Sequence, residues 1–312
     1  MSMNEAEINR RPTFLAVGNA GINAYEKAFF HLLPVPYERT VVYGKGTRDG
    51  PMALIQASSH LEGLEEEFQI ETWRNSGIHT LPAHASPVDP ESFLADLSAH
   101  IRKVWRPETF LLTVGGEHSV TEGPLRVVAE RYSDLSVLQI DAHADLRDEY
   151  HGSRFNHACA ARRMMEYAPV VQVGVRSVAV EEARYCNSER VRTFFMHKHR
   201  DVKALIPQVV DALSENVYIS IDLDGLDPSV IPGVGTPVPG GLGWYETLDL
   251  LREVCRTKTV VAADLMELAP MRGNHISEYT AARLAYKLMT YVTARRLGKL
   301  GEIGKGRLSR VK

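Results

Sequence analysis

A short apolar run that ends in alternating acidic and histidine side chains is the feature that most limits the fold of this chain. The run at residues 135–140 leads directly into Asp141-Ala142-His143-Ala144-Asp145. In extended backbone, residues i, i+2 and i+4 point to one face, so the spacing predicts that Asp141, His143 and Asp145 converge. Carboxylate oxygens with an imidazole nitrogen suit Mn, Zn, Fe or Ni rather than a thiolate site. The segment therefore predicts a group of metal ligands at the end of a buried strand.

Two further apolar runs end in residues of the same types. His118 follows the run at residues 109–114, and Asp222 and Asp224 follow the run at residues 217–221. One Asp-x-His fragment alone is as often a surface turn, but three such strand ends would bury costly carboxylates unless a cation compensates them. The pattern predicts a site for two metal ions that share carboxylates. The candidate ligands are His118, Asp141, His143, Asp145, Asp222 and Asp224.

Strand-like apolar runs alternate with segments of helical periodicity along the chain. One such segment has Leu94, Leu97 and Ile101 on a single face. Alternation of this kind predicts an α/β fold with a parallel sheet covered on both faces. Ligand sites in such sheets lie beyond the carboxyl ends of the strands, where all the candidate ligands occur. The predicted strands are residues 30–33, 110–114, 137–140, 170–175, 217–221 and 260–263.

Composition narrows the classes of partner. With 36 basic and 39 acidic residues among 312, the chain has no excess of positive charge, and we expect no nucleic-acid partner. The N-terminus has no apolar signal core and no run approaches the roughly 20 apolar residues of a membrane span, so we expect no membrane partner. Three scattered cysteines predict a reducing, cytoplasmic location. We expect one domain over residues 1–312, with an N-terminal arm at 1–25 and a basic C-terminal tail at 298–312 that is solvated or forms an interface.

Taken together, the motifs resemble those of the ureohydrolases, the family of arginase, agmatinase and their relatives. The similar segments are Gly-Gly-Glu-His-Ser at 115–119, Asp-Ala-His-Ala-Asp at 141–145 and Ser-Ile-Asp-Leu-Asp-Gly-Leu-Asp-Pro at 220–228. The resemblance implies a three-layer α-β-α domain around a mostly parallel, eight-stranded sheet, and a homo-trimer or hexamer. It also implies a small guanidino substrate and two Mn²⁺ ions, with Ni²⁺ or another divalent metal as the alternative.

The resemblance further implies how the ligands divide between two ions. One ion would take His118, Asp141, Asp145 and Asp222, and the other His143, Asp141, Asp222 and Asp224. Asp141 and Asp222 would then bridge the ions. A pair of ions at bridging distance lowers the pKa of a shared water, and the resulting hydroxide would attack the guanidinium carbon and release urea and an amine. Asp145 would also orient this nucleophile by a hydrogen bond.

Two more catalytic residues are carried over from the resemblance. Glu267, just past the apolar run at 260–263, matches the glutamate that grips the guanidinium by paired hydrogen bonds. Without the motif, a helix cap or a surface acid would be the simpler interpretation of that residue. Imidazole titrates in the range needed to protonate a leaving amine. His157 is the better match for this proton shuttle and for a substrate contact, and His151 on the same loop is the alternative.

The substrate prediction depends on departures from the family pattern. Arginases have an asparagine and an aspartate at two positions where this chain has Arg147 and Ala179. Arginine is therefore disfavoured, and the agmatinase branch, with agmatine as substrate and putrescine as product, is ranked first. Asp148 and Glu149 could attract a distal amine, but Arg147 could equally contact a carboxylate tail. Guanidinobutyrate, other guanidino acids and free guanidine thus stay open.

Two other functions remain possible on the sequence alone. A deacetylase on the same scaffold would need only one metal ion and would not need Glu267. A non-catalytic relative would have kept the fold for binding or regulation. The presence of all six candidate ligands argues against both alternatives.

Overall fold

The computed structural model describes residues 11–86 and 88–301, which contain a single sheet of eight strands. Their order across the sheet is β2-β1-β3-β8-β7-β4-β5-β6, and every neighbouring pair is parallel. The strands are β1 (Phe30–Val35), β2 (Ile78–Thr80), β3 (Phe110–Gly115), β4 (Leu135–Ile140), β5 (Val170–Val173), β6 (Val191–Phe194), β7 (Asn216–Asp222) and β8 (Thr259–Met266).

Helices cover both faces of the sheet. Among the described residues, no helix combines the length and the apolar character that crossing a bilayer requires. The helices are α1 (Gly50–Ser58), α2 (Thr72–Ser76), α3 (Pro90–Val104), α4 (Glu122–Ala129), α5 (Ala160–Tyr167), α6 (Val202–Ala212), α7 (Trp244–Thr257) and α8 (Ile276–Arg296).

Alternate residues of the central strands supply the two apolar layers of the core. Leu32 of β1 and Leu112 of β3 belong to one cluster, which also contains buried residues of α1, α6, α7 and α8. Leu33 and Leu111 belong to the other, which contains buried residues of α3, α4 and α5. The α/β class with three layers is thus confirmed, and the sheet is wholly rather than mostly parallel.

The strand order explains why distant motifs meet. β3, β8, β7 and β4 are consecutive neighbours at the centre of the sheet. Because parallel strands end at the same edge, the segments that follow these four strands lie side by side. His118 follows β3, Glu267 follows β8, Asp224 follows β7, and the segment 141–145 follows β4.

The differences from the predicted elements lie at the sheet edges. All six predicted strands occur, although β5 ends at Val173 instead of residue 175. The edge strand β2 was not predicted because its three residues are too few to establish a pattern. The edge strand β6 was not predicted because the exposed Arg192 interrupts its apolar residues. Residues 1–10 of the expected arm and 302–312 of the expected tail lie outside the described residues, and the division into one domain, arm and tail stays a prediction.

A buried cation ties α8 to the segment before α2. Lys287 is 1% exposed, and its Nζ pairs with Glu65, with Glu66 at 2.7 Å and with Glu67 at 3.0 Å. Glu65 is itself fully buried. Removal of one member of such a buried cluster leaves an uncompensated charge in the core.

We predict that Lys287→Met, which keeps the alkyl stem, lowers the free energy of unfolding by about 3–5 kcal/mol. The matched control is Arg102→Met on α3, whose pair with Glu130 is exposed on both sides and contributes less than about 1 kcal/mol. Urea unfolding followed by circular dichroism measures both. Equal losses in the two variants would show that the buried cluster is not a stabilising contact.

Candidate metal centre

The carboxyl ends of the central strands border a cavity of about 120 Å³. A larger cleft of about 790 Å³ lies between α1 and α8, but no predicted site residue lines it. The smaller cavity is lined by six of the predicted catalytic or ligand residues: His143, Asp145, His157, Asp222, Asp224 and Glu267.

His118 is the centre of a first cluster. Its Nδ1 lies 3.1 Å from Asp141 Oδ2, 3.2 Å from Asp145 Oδ2 and 3.2 Å from Asp222 Oδ2. The residue is 1% exposed, and this nitrogen has no well-directed hydrogen bond to the described residues. Three carboxylate oxygens around one buried nitrogen repel one another unless a proton or a metal ion lies among them.

A buried hydrogen-bond chain determines which nitrogen of His118 faces those carboxylates. Asp264 accepts hydrogen bonds from the hydroxyls of Tyr218 at 2.6 Å and Ser220 at 2.8 Å. Because Ser220 uses its proton on Asp264, its oxygen accepts from His118 Nε2, 3.1 Å away. Nδ1 is then the nitrogen whose lone pair is directed at the carboxylates, as in a metal-ligating histidine held by a polar partner behind it.

His143 is the centre of a second cluster. Its Nδ1 lies 3.0 Å from Asp224 Oδ2 and 3.7 Å from Asp141 Oδ1. Asp141 thus presents one oxygen to each histidine, which is the placement expected of a bridging ligand. Asp224 is oriented by the Ala142 backbone N–H at 3.0 Å and by the Thr236 hydroxyl at 3.2 Å. All six predicted ligands therefore lie in two adjoining clusters.

The clusters carry an excess of negative charge. Burial and the neighbouring carboxylates of Asp224 and Asp141 raise the pKa of Asp222 well above its ordinary value. Burial beside Asp141 raises the pKa of Asp145 to about 6. Burial alone would lower the pKa of His143, but its bonds to Asp141 and Asp224 raise that pKa to about 12. The geometry and this charge imbalance fit divalent ions of the class that accepts both oxygen and imidazole ligands.

Two site residues have left-handed backbone, with φ of 50° at Asp145 and 66° at Glu267. Such a conformation costs about 1–3 kcal/mol for a non-glycine residue and is common at functional sites. Glu267 is held there by its N–H, which donates to Gly116 O at 2.8 Å. The extended geometry predicted for 141–145 is wrong, because β4 ends at Ile140 and the side chains converge through a loop.

Glu267 and His157 lie together beside the clusters. Glu267 Oε1 accepts from the His118 backbone N–H at 2.8 Å and lies 3.7 Å from His157 Nδ1. Burial alone would lower the pKa of His157, but the carboxylates of Glu267 and Asp145 raise it above its ordinary value. His151, the alternative proton shuttle, is exposed and does not line the cavity.

Arg147 lines the cavity, and its charge has partners within the protein. Its Nε donates to Glu181 Oε1 at 3.0 Å, and its guanidinium lies 4.5 Å above the Tyr150 ring centroid. Ala179, at the second position that departs from arginases, lines the same cavity. The two positions that depart from arginases therefore contribute a paired cation and a small apolar residue to the cavity lining.

Residues that orient the candidate ligands were missed in the sequence. Ser220 and Asp264 support His118, and Gln139 donates to Asp141 Oδ2 at 2.7 Å. Asp264 carried the one usable signal, since an acid inside the apolar run of β8 requires a buried partner. The serine and the glutamine have no such signal, because either residue is ordinary in a strand.

We predict that Ser220→Ala lowers the affinity for divalent metal about 10- to 100-fold, because His118 loses the partner that orients its ring. Ser136→Ala is the matched control: Ser136 is an equally buried strand serine whose hydroxyl accepts from the Ser214 N–H. Titration of metal-free protein against a chelating dye measures both. An unchanged affinity in Ser220→Ala would show that Ser220 does not orient His118 for metal binding.

Known proteins are similar to this chain in sequence. A family model described as the arginase family matches residues 28–291. The N(1)-aminopropylagmatine ureohydrolase of Synechocystis sp. is 38% identical over 278 residues, which cover 86% of this chain and 91% of the relative. The agmatinase of Pyrococcus horikoshii is 34% identical over 264 residues, which cover 83% and 90%.

Solved structures agree with the sequence matches. The agmatine ureohydrolase of Thermoplasma volcanium has a TM-score of 0.82 and 27% identity to this chain, with 94% of this chain and 98% of that chain covered. Proclavaminate amidino hydrolase from Streptomyces clavuligerus has a TM-score of 0.80 and 26% identity, with coverages of 92% and 98%. From its motifs, its sheet and these matches, the chain belongs to the arginase family of ureohydrolases.

Proposed function

We propose that this ureohydrolase cleaves a guanidino compound with an amine tail, and that agmatine is its substrate and putrescine its second product. The observation that carries the proposal is the meeting of Glu267 and His157 with both His/Asp clusters at one small cavity. The relatives named agmatinase and agmatine ureohydrolase support agmatine as the substrate.

The family uses a centre of two divalent metal ions, and the candidate ligands here are the six side chains of the two clusters. We propose Mn²⁺ as the native metal, with Ni²⁺ as the alternative. When bound, the ions supply Lewis acidity and lower the pKa of water so that it is nucleophilic at neutral pH. Asp145 lines the cavity beside His118 and can accept a hydrogen bond from that water.

Glu267 is proposed to hold the substrate guanidinium. Its Oε1 is already bonded to the His118 N–H, while its Oε2 accepts no hydrogen bond from the described residues. A carboxylate with one oxygen fixed and the other available can accept charge-assisted hydrogen bonds from a planar cation. The left-handed backbone at Glu267 turns its side chain from β8 into the cavity.

His157 is proposed to protonate the leaving amine. It lines the cavity, and its Nε2 has no hydrogen-bond partner among the described residues. Burial opposes the charged form, but the Glu267 carboxylate raises the pKa of His157 above its ordinary value, which favours the protonated imidazolium. The proton would pass to the nitrogen that departs as the amine. The guanidino carbon, its two other nitrogens and the oxygen of the water would leave as urea.

A longer amine tail is the second candidate. The relatives in Synechocystis sp. and Thermus thermophilus are named N(1)-aminopropylagmatine ureohydrolases, at 38% and 37% identity. Arg147 borders the path of a tail, and its pairing with Glu181 leaves it less free to bind a carboxylate. Guanidinobutyrate and other guanidino acids are therefore ranked below the two amine substrates.

Assembly and location remain proposals from family resemblance. We propose a homo-trimer or hexamer in the cytoplasm. The three cysteines are free, which is compatible with a reducing compartment.

We predict that Mn-loaded protein releases urea from agmatine or N(1)-aminopropylagmatine faster than from arginine, 4-guanidinobutyrate or guanidine. A colorimetric urea assay over the panel gives kcat/KM for each. Preference for arginine or a guanidino acid would contradict the amine-tail proposal but keep the chemistry. No urea from any substrate, with two metals bound, would contradict the enzyme proposal.

We predict that Glu267→Gln keeps both metal ions but lowers kcat/KM at least about 30-fold, since loss of a buried charged hydrogen bond costs about 2–5 kcal/mol.

Asp141→Asn should lose metal and activity together, because Asp141 faces both histidines. Glu253→Gln, on an exposed face of α7, is the control that should change neither. Full metal content and rate in Asp141→Asn would show that the bridging assignment is wrong.

A further inference from the structure

Glu117, the acid of the Gly-Gly-Glu-His-Ser motif, has no place in the chemistry above, yet it is fully buried. Its carboxylate accepts four hydrogen bonds. Arg39 N and Thr40 N donate to Oε2 at 2.5 and 2.6 Å, and the Thr40 and Ser119 hydroxyls donate to Oε1 at 2.7 and 2.6 Å. A buried carboxylate is costly unless donors of this kind compensate it, so the arrangement fixes the segment 39–40 against the end of β3.

The Thr40 hydroxyl connects this carboxylate to the proposed proton donor. It donates its proton to Glu117 Oε1, and its oxygen accepts from the His157 backbone N–H at 2.8 Å. Glu117, Thr40 and His157 therefore form one continuous chain of hydrogen bonds, although 117 residues separate the last two in sequence.

The imidazole of His157 makes no hydrogen bond of its own to the described residues. Its Nδ1 is 3.7 Å from Glu267 Oε1, which is longer than a hydrogen bond, and its Nε2 has no partner among the described residues. The next backbone N–H, that of Ala158, is bonded to the Asn156 side chain at 3.0 Å. The position of the ring thus depends on the anchored backbone of the short turn His157–Cys159.

The contact with Thr40 also sets the cavity wall. Glu38, two residues earlier, accepts from Gly46 N at 2.7 Å and from the Thr47 hydroxyl at 3.1 Å. The segment between these anchors carries Val42, which lines the same cavity as His157. Glu38 closes the loop on itself, whereas Glu117 joins the loop to the sheet and, through Thr40, to the backbone of His157.

We propose that Glu117, acting through the Thr40 hydroxyl, is the positioning residue that places His157 for proton transfer to the leaving amine. The inference rests on the proposed function of His157. It concerns the placement of the ring, which matters because a displacement of about 1 Å can cost about 100-fold in rate.

The test is a matched pair at residue 40. Thr40→Val keeps the shape of the side chain and removes the hydroxyl, and Thr40→Ser keeps the hydroxyl. We expect Thr40→Val to bind two metal ions with a KM within about twofold of the parent, and to lose about 10- to 100-fold in kcat, with a larger solvent isotope effect on kcat. Thr40→Ser should recover most of the rate. Glu117→Gln keeps a side chain of the same size, and its kcat should also be lower than that of the parent.

A cycle with His157→Asn separates positioning from general stability. If Thr40 acts through His157, Thr40→Val should lower kcat in the parent but hardly change it in the His157→Asn background. Equal losses in both backgrounds, a loss of bound metal in Thr40→Val, or an unchanged kcat would overturn the inference. A His157→Asn variant as fast as the parent would instead remove the proposed role of His157 itself.

Discussion

The structure depends on the compensation of buried negative charge at one edge of a parallel sheet. Asp141, Asp145, Asp222 and Asp224 are each less than 10% exposed and lie around two histidines. In the protein interior, a set of carboxylates is tolerated only where cations or hydrogen-bond donors compensate its negative charge. The geometry of both clusters, with imidazole nitrogens directed at carboxylates, is that of a site shaped for divalent ions.

Residues other than the candidate ligands hold this arrangement in place. Asp264 and Ser220 select the nitrogen that His118 presents, and Gln139 orients Asp141. Left-handed backbone at Asp145 and Glu267 is tolerated because the surrounding loops hold it. The supporting residues come from the central strands and the loops beside them, so the rigidity of the sheet is transmitted to the site.

The sequence predicted those features of the site that depend on neighbouring residues in the chain. The ligands were found because each stands next to an apolar run, and a run of four or more residues identifies a strand. The support of His118 was not found because it is a pairing across the sheet: Ser220 meets Asp264 only because β7 lies beside β8. The same reason hid the Thr40 contacts, since no periodic signal joins a loop residue to Glu117 or to His157. β2 was missed because it has only three residues, and β6 because the exposed Arg192 interrupts its apolar residues.

A stepwise titration of metal-free protein with Mn²⁺ tests whether the two clusters form a binuclear centre. The rate of urea release from agmatine and the bound metal per chain are measured in the same samples. We expect a rate that stays low at one ion per chain and saturates at two. Full activity with a single ion, or activity that does not depend on metal, would contradict the assignment of the two clusters to a binuclear centre.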